Sequence, residues 1–440
     1  MCADVVGAIP CREVRVTLRK NTGVLLLVFA AAVWATQLRA QLPEKHALHP
    51  DGRPAESVPW SPAVLVGSTL YLSGAGSDVP GGSRPVTAEG EIRQSFANVS
   101  RMLRAAGMDY GNVVSSYVYL TDIRDHDVMD QVFREVFPKD PPVRSTIEVG
   151  AIPGGSRILV QAIAVQDSMP RAHVPLPVHW KHPSGSSFSA AVKVNGLVYL
   201  SGVGTFDPAT GQQPETYALQ VRQSLVNMGE LLAAAGADFR HVAFVNPYLA
   251  VPADVGAMNT VYRQFFEFGS TPARATLMVS GLPAPATAAM SAVGVEDVER
   301  RLVVRPISRE LSPTASPAVF AGDVLYFSGF SGFTPGYGYV SGNLEHQVRF
   351  ALRNIQDGLE SAGLTLQNVV SVTAYLADAA DYDHVLETYA QSFPTDPPAL
   401  TAVQQSPTGP DNRPLVQFSA IAVRSVTSRQ PGRTQPDRRH

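Results

Sequence analysis

The sequence predicts an α+β protein of three tandem domains that form a pseudo-threefold trimer within one chain. Three observations carry that expectation. Leu-Tyr-Leu-Ser-Gly at 70–74 returns as Val-Tyr-Leu-Ser-Gly at 198–202 and Leu-Tyr-Phe-Ser-Gly at 325–329, which sets Ser73, Ser201 and Ser328 at intervals of 128 and 127. The glycine closing a helical stretch recurs as Gly107, Gly236 and Gly363, at intervals of 129 and 127. Two landmarks with nearly equal spacing indicate duplication of a whole domain, and a globular unit of ~100–150 residues fits the period where a solenoid repeat does not. The connections between copies, roughly 20 residues, are too short for loose beads.

Each copy opens with a hairpin. In the second it runs from Ala191 to Leu200 and turns at Asn195-Gly196, a dipeptide that supplies the two positive φ angles of a type I′ turn. Gly67-Ser68 and Gly322-Asp323 hold the same place in the other copies. A helix follows, with apolar residues at i, i+4, i+7 and i+11: Ile92, Phe96, Val99 and Leu103, then Val221, Leu225, Met228 and Leu232, then Val348, Leu352, Ile355 and Leu359. Next comes a β-type stretch, at Val113–Leu120, Val242–Leu249 and Val369–Leu376. A second amphipathic helix carries Val132, Phe133, Val136 and Phe137 before Pro138 stops it. Two more strands close each unit, ending at 158–165, 288–295 and 416–423. The order ββαβαββ places helices on one face of a mixed sheet, and the other face needs a partner that two further copies supply. The resulting bounds are 59–168, 177–299 and 303–425, with a linker at 41–58 and a tail at 426–440.

Residues 1–40 read as a targeting segment. Arg12, Arg15, Arg19 and Lys20 precede an apolar run at 24–35, which suits a signal-peptide core better than a membrane span of ~20 residues. The expectation is export, to a periplasm or outside the cell, with an uncleaved anchor as the alternative. A balance of 35 basic and 38 acidic residues gives no cationic footprint, so nucleic acid is not an expected partner. Both cysteines, Cys2 and Cys11, precede the repeats, which excludes a thiol nucleophile or thiolate metal site from the folded part. The ten histidines show no metal-binding spacing, so no metal and no cofactor are expected.

The hairpin ending in Ser-Gly, the Ala-Ala-Gly helix end, Pro-Pro-Val-Arg-Ser-Thr-Ile-Glu-Val at 141–149 and Gln-Ala-Ile-Ala-Val at 161–165 resemble the RidA family, also called endoribonuclease L-PSP. The likeness runs from about Pro59 to Val423, once per repeat. It implies a chorismate-mutase-like fold, a trimer with ligand clefts between subunits, and hydrolysis of imines and enamines derived from amino acids. It also implies an arginine for the substrate carboxylate, a glutamate that activates water, an aromatic wall and a contribution from the Ser-Gly backbone. The arginine falls on Arg144 and Arg274, and on Leu400 in the third copy. The aromatic falls on Trp60 and Phe188, then on Ala315. The Ser-Gly positions are Ser73, Gly74, Ser201 and Gly202, and an asparagine of the family survives as Asn259, with Asp130 and Leu386 at the matching positions.

The glutamate falls on Gln161, Ser291 and Ser419, so no copy keeps it. An arginine fork matches a carboxylate bidentately, which suits Arg144 and Arg274 to small α-imino or α-keto acids; the competing reading is an ion pair with a neighbouring acid. Gln161 can orient water but cannot take its proton, and losing a general base costs ~10²–10⁴ in rate. The expected function is therefore a monomeric chain whose clefts bind a small carboxylate-bearing ligand, with weak or lost deaminase activity; an active deaminase is the alternative. Gln161→Glu is expected to set a carboxylate beside Arg144 and restore the base.

Overall fold

The computed structural model describes residues 43–50, 58–181, 187–284, 286–306, 310, 312–334, 338–339, 343–406 and 414–427. The leader at 1–40 and residues 428–440 of the expected tail lie outside the described residues. Among the described residues no helix is long and apolar enough to cross a membrane.

The expected hairpins form. In the first domain β1 (Glu44–Leu48), β2 (Ala63–Val66) and β3 (Thr69–Leu72) run antiparallel in sequence order. Helix α1 (Ala88–Ala105) starts at Thr87, whose side chain accepts the Gly90 amide, and it buries Ile92, Phe96, Val99 and Leu103. Strand β4 (Val113–Leu120), helix α2 (His126–Val136), β5 (Val143–Glu148) and β6 (Ile158–Val165) complete the unit. In the sheet β6 lies between β3 and β4, antiparallel to both, and β5 pairs parallel with β4 at the edge.

The second domain repeats this with β7 (Arg171–Val174), β8 (Ala191–Val194), β9 (Leu197–Gly204), α3 (Tyr217–Ala234), β10 (Val242–Ala250), α4 (Val255–Tyr262), β11 (Ala273–Arg274), β12 (Leu277–Val279) and β13 (Ala288–Val295). The third comprises β14 (Arg301–Val304), β15 (Ala318–Ala321), β16 (Val324–Phe327), β17 (Phe330–Ser331), the two-residue pair β18 (Phe333–Thr334) and β19 (Gly338–Tyr339), α5 (Leu344–Ser361), β20 (Val369–Leu376), α6 (Tyr382–Ala390), β21 (Ala399–Gln404) and β22 (Val416–Val423). Asn195 and Gly196 have φ of 55° and 74°, as the I′ turn requires.

Each sheet also starts one strand earlier than the repeat pattern indicated. The expected linker supplies β1, and β23 (Val426–Thr427), at the start of the expected tail, pairs parallel with Glu44 and Lys45. A hairpin edge left bare would expose unpaired amides and carbonyls, and these short strands cover it. Each lead strand carries a cation that reaches back to the preceding domain. Lys45 Nζ donates to the carbonyls of Val369 (2.7 Å) and Asp396 (2.9 Å), Arg171 Nη1 to Gly111 (2.6 Å), and Arg301 Nε to Val242 (2.7 Å).

The two faces of each sheet go to different cores. Leu70, Leu72, Val118 and Val160 face α1 and α2 with Phe96 and Phe133. Residues of the opposite parity join one core shared by all three domains, among them Tyr71, Tyr199 and Tyr326 from equivalent strands. The period-2 alternation of a strand thus becomes a partition between a private and a common interior. The contacts close a ring: Ser189 N–H donates to Pro142 O, Ser316 N–H to Pro272 O, and Ser61 N–H to Pro398 O.

Candidate functional site

At each of the ring's three junctions the parallel edge strand of one domain meets the hairpin of the next. In each junction the hydroxyl of the Ser-Gly word makes the same two bonds. Ser201 Oγ donates to Ser189 O (2.7 Å) and accepts the amide of Arg144 (3.0 Å). Ser328 Oγ donates to Ser316 O (2.6 Å) and accepts the amide of Arg274 (2.8 Å). Ser73 Oγ donates to Ser61 O (2.7 Å) and accepts the amide of Leu400 (2.7 Å). All three serines are buried, and a hydroxyl's single proton is spent within the fold. The hydroxyls of Ser73 and Ser201, two of the expected site residues, fasten one domain to the next.

This geometry redistributes the expected site residues. The first cleft combines Arg144 of the first domain with Phe188, Ser201 and Gly202 of the second. The second combines Arg274 and Asn259 with Ser328 and Gly329 of the third domain. The third combines Leu400 with Ser73 and Gly74, whose amide donates to Leu400 O (3.2 Å). Trp60 packs against the third domain's core, which contains Leu400, and does not line the Arg144 cavity. Gln161 is also apart from Arg144. Its amide donates to Thr373 Oγ1 of the third domain (3.3 Å), and it lines a small chamber between the sheets with Tyr71, Phe244, Asn246 and Tyr326. The expectation that a carboxylate at 161 would stand beside Arg144 is thereby corrected. The reason is topological: Arg144 lies on the edge strand and meets the following domain, whereas Gln161 lies on β6 and meets the preceding one.

The first cleft encloses a cavity of about 340 Å³ lined by His126, Asp130, Arg144, Thr146, Phe188 and Tyr248 among others. The Arg144 side chain is 5% exposed and lies between two rings, its guanidinium 4.6 Å from the Phe133 centroid and 5.3 Å from Phe188. Asp130 Oδ1 is 2.8 Å from Arg144 Nη1 and accepts Ser187 Oγ at 2.5 Å, while Arg134 pairs with the other oxygen. Burial works against ionisation of Asp130, but Ser187 and the Arg144 charge outweigh it and hold the carboxyl below its ordinary range. Burial lowers the Arg144 pKa and Asp130 counters it, so the guanidinium keeps its charge.

His126, the first residue of α2, was not singled out from the sequence. Burial, and then the Arg144 charge, depress its pKa, which leaves the imidazole neutral at pH 7. Its signal is positional: it stands one helical turn before Asp130, on the same helix face. Ala289 also lines this cavity. The matching side chains elsewhere are larger: Leu159 comes within 2.6 Å of a Cβ built on Gly74, and Gln417 within 2.6 Å of one built on Gly329.

In the second cleft Arg274 Nη1 donates to Asn259 Oδ1 (2.8 Å), and the guanidinium lies 5.0 Å from the Tyr262 ring centroid. The partner is a neutral amide, and among the described residues Arg274 makes no ion pair with a carboxylate. Arg274 is half-buried, and burial lowers its pKa. Leu400 in the third cleft is 6% exposed, and the neighbouring Leu386 packs against the same core.

The family model described as endoribonuclease L-PSP matches residues 51–166, 181–294 and 310–423. The chain is 40% identical over 126 residues to the 2-iminobutanoate/2-iminopropanoate deaminase of Bos taurus, covering 27% of this chain and 88% of that protein. It is 38% identical over 117 residues to the Homo sapiens protein of the same name, covering 26% and 85%. Among solved structures, RidA of the Antarctic bacterium Psychrobacter aligns at 30% identity and a TM-score of 0.26, covering 28% of this chain and 99% of that one. With three matches that together span most of its length, and with each matched segment folded as an α+β unit, this chain belongs to the endoribonuclease L-PSP (RidA) family and carries three family domains in one polypeptide.

Proposed function

We propose that this protein binds small α-imino or α-keto carboxylates at the Arg274 cleft and has weak or no imine deaminase activity. The observation that carries the first half is the Arg274–Asn259 pair. Asn259 orients the guanidinium with one neutral oxygen and leaves its charge for a ligand carboxylate, to which the fork can donate two parallel hydrogen bonds. The second half rests on the residues that hold the family glutamate's position. Gln161 and Ser419 line the chamber between the sheets, and Ser291 Oγ bonds Tyr248 Oη (3.2 Å). None of these side chains takes a proton from water near pH 7, and hydrolysis of a C=N bond needs that step.

A second reading, a working deaminase, is favoured by one observation: neutral His126 faces the Arg144 cavity and is able to act as a base. Two measurements separate the readings. Calorimetric titration with 2-oxobutanoate should show one site that Arg274→Ala abolishes. Hydrolysis of 2-aminoacrylate generated in situ should stay within ~10-fold of the uncatalysed rate, whereas an enzyme of ordinary efficiency turns over at ~1–10³ s⁻¹. Turnover in that range would overturn the proposal and establish the second reading.

A further inference from the structure

The three junctions are built alike, yet one pair of positions holds a different chemistry in each: Asp130 with Arg144, Asn259 with Arg274, Leu386 with Leu400. The first pair changes what its cleft can accept. Asp130 Oδ1 stands 2.8 Å from Arg144 Nη1 as an ion pair without an aligned hydrogen bond, so a ligand carboxylate arriving at Arg144 would meet a carboxylate charge already beside the guanidinium. Asp130 is held there by Ser187 and Arg134 as well as Arg144, so it does not swing aside at low cost. A second anion in the same place would be repelled by the first.

The cavity is nonetheless open, at about 340 Å³, within the range of small-molecule sites. Its wall offers polar groups with capacity to spare. Thr146 Oγ1 is buried and finds no hydrogen-bond partner among the described residues, and His126 stands beside Arg144 as a neutral imidazole. Phe188, Ala286 and Ala289 supply an apolar surface. A buried hydroxyl without a partner beside an open cavity is what a bound ligand would satisfy.

We propose that the Arg144 cleft is a second, distinct binding site, selective for a small uncharged carbonyl compound or imine that lacks a carboxylate, and that Asp130 is the residue that sets this selectivity. Asp130 occupies the place of the ligand's own carboxylate, so the cleft receives the decarboxylated counterpart of what Arg274 receives. Thr146 Oγ1 donates to the ligand's carbonyl oxygen or imine nitrogen, and the wall of Phe188 and alanines takes its alkyl group.

The test uses the full chain with Arg274→Ala, which silences the second cleft, and two probes with the same carbon skeleton apart from the acid group: 2-oxobutanoate and butanone. NMR titration follows the His126 imidazole resonance as the reporter of the Arg144 cleft. Butanone should shift it, and 2-oxobutanoate should bind at least ~10-fold more weakly, as a like charge at contact distance demands. Adding Asp130→Asn, which copies Asn259, should raise 2-oxobutanoate affinity at this cleft by at least ~10-fold. Because that variant deprives a buried arginine of its counter-ion, the converse substitution is measured too. Asn259→Asp on the wild-type background should weaken 2-oxobutanoate at Arg274 by at least ~10-fold without harming the fold. The proposal is overturned if butanone leaves His126 unmoved, if folded Asp130→Asn leaves 2-oxobutanoate affinity unchanged, or if, in a wild type that binds 2-oxobutanoate, Asn259→Asp leaves that affinity unchanged. A wild type that binds no 2-oxobutanoate at all would sink the Arg274 reading alone, and the Asp130→Asn arm would still decide this one.

Discussion

The amide of Leu400 donates to Ser73 Oγ at 2.7 Å, one of the bonds that join the third domain to the first, here across 327 positions of sequence. It is the counterpart of Ser201 with Arg144 and of Ser328 with Arg274, so the serine of each Ser-Gly word is a fastener of the ring. Removing the hydroxyl strands a buried amide on one domain and a buried carbonyl on the other. Ser73→Ala should therefore destabilise the chain by about 1–3 kcal/mol in urea unfolding, with Ser201→Ala and Ser328→Ala similar. Unchanged midpoints would show that these hydroxyls do not hold the ring together.

Leu400 tests whether the third cleft has become core. It is 6% exposed and its neighbour at the Asp130 position is Leu386, so an arginine introduced there would be buried with no acid to meet. Leu400→Arg should cost about 3–5 kcal/mol, the range for an uncompensated buried charge. The pair Leu400→Arg with Leu386→Asp should recover part of that loss by rebuilding the Asp130–Arg144 arrangement. A double-mutant cycle on melting temperature gives the answer, and strictly additive losses would contradict it.

Base restoration belongs at a different residue from the one the repeat pattern suggested. Gln161 serves a junction whose arginine is gone, while Ser419 is carried by the domain that faces Arg274. Ser419→Glu should raise 2-aminoacrylate hydrolysis by at least ~10-fold over the parent, the low end of general-base catalysis, and Arg274→Ala should erase the gain. Gln161→Glu should change the rate little. The reverse order of the two effects would show that the clefts have been paired wrongly.

Lys45 gives a pH signature. Burial brings its pKa down to about 8, against the raising effect of Asp396, from an ordinary value of 10.5. In the unfolded chain the lysine stays protonated up to the higher value, so the folded state is penalised below pH 8 and relieved as the pH rises from 8 to 10.5. The stability of wild type relative to Lys45→Met should climb across that window by on the order of 3 kcal/mol. Buried tyrosines such as Tyr71 and Tyr326, whose pKa values burial raises, act in the opposite sense above pH 10 in both proteins and cancel in the difference. Urea midpoints taken at intervals of half a pH unit would show the climb, and a flat difference would mean that Lys45 titrates normally.

Local chemistry was legible in the sequence wherever it acts over a few residues. The Asn195-Gly196 turn, the apolar stripe from Ile92 to Leu103, the glycine that follows each first helix and the alternation along β6 all formed where turn geometry, helical period and strand period required. The repeat of whole words determined that there are three domains, and the same words determined the family. The lead strands were not legible, because Glu44–Leu48 is a short, mostly polar run whose only reason to be extended is the open edge of the hairpin it covers.

The membership of each cleft was decided by tertiary structure alone. Read along the chain, Trp60, Arg144 and Gln161 belong to one copy and invite one site; in the folded ring they serve two junctions, because edge strand and hairpin face opposite neighbours. Sequence determined that Arg144 and Arg274 would stand at equivalent places. Only the packing of α2 and α4 against them decided that one meets the carboxylate of Asp130 and the other the amide of Asn259, since an ion pair between positions 14 apart depends on where a helix docks and not on any local rule.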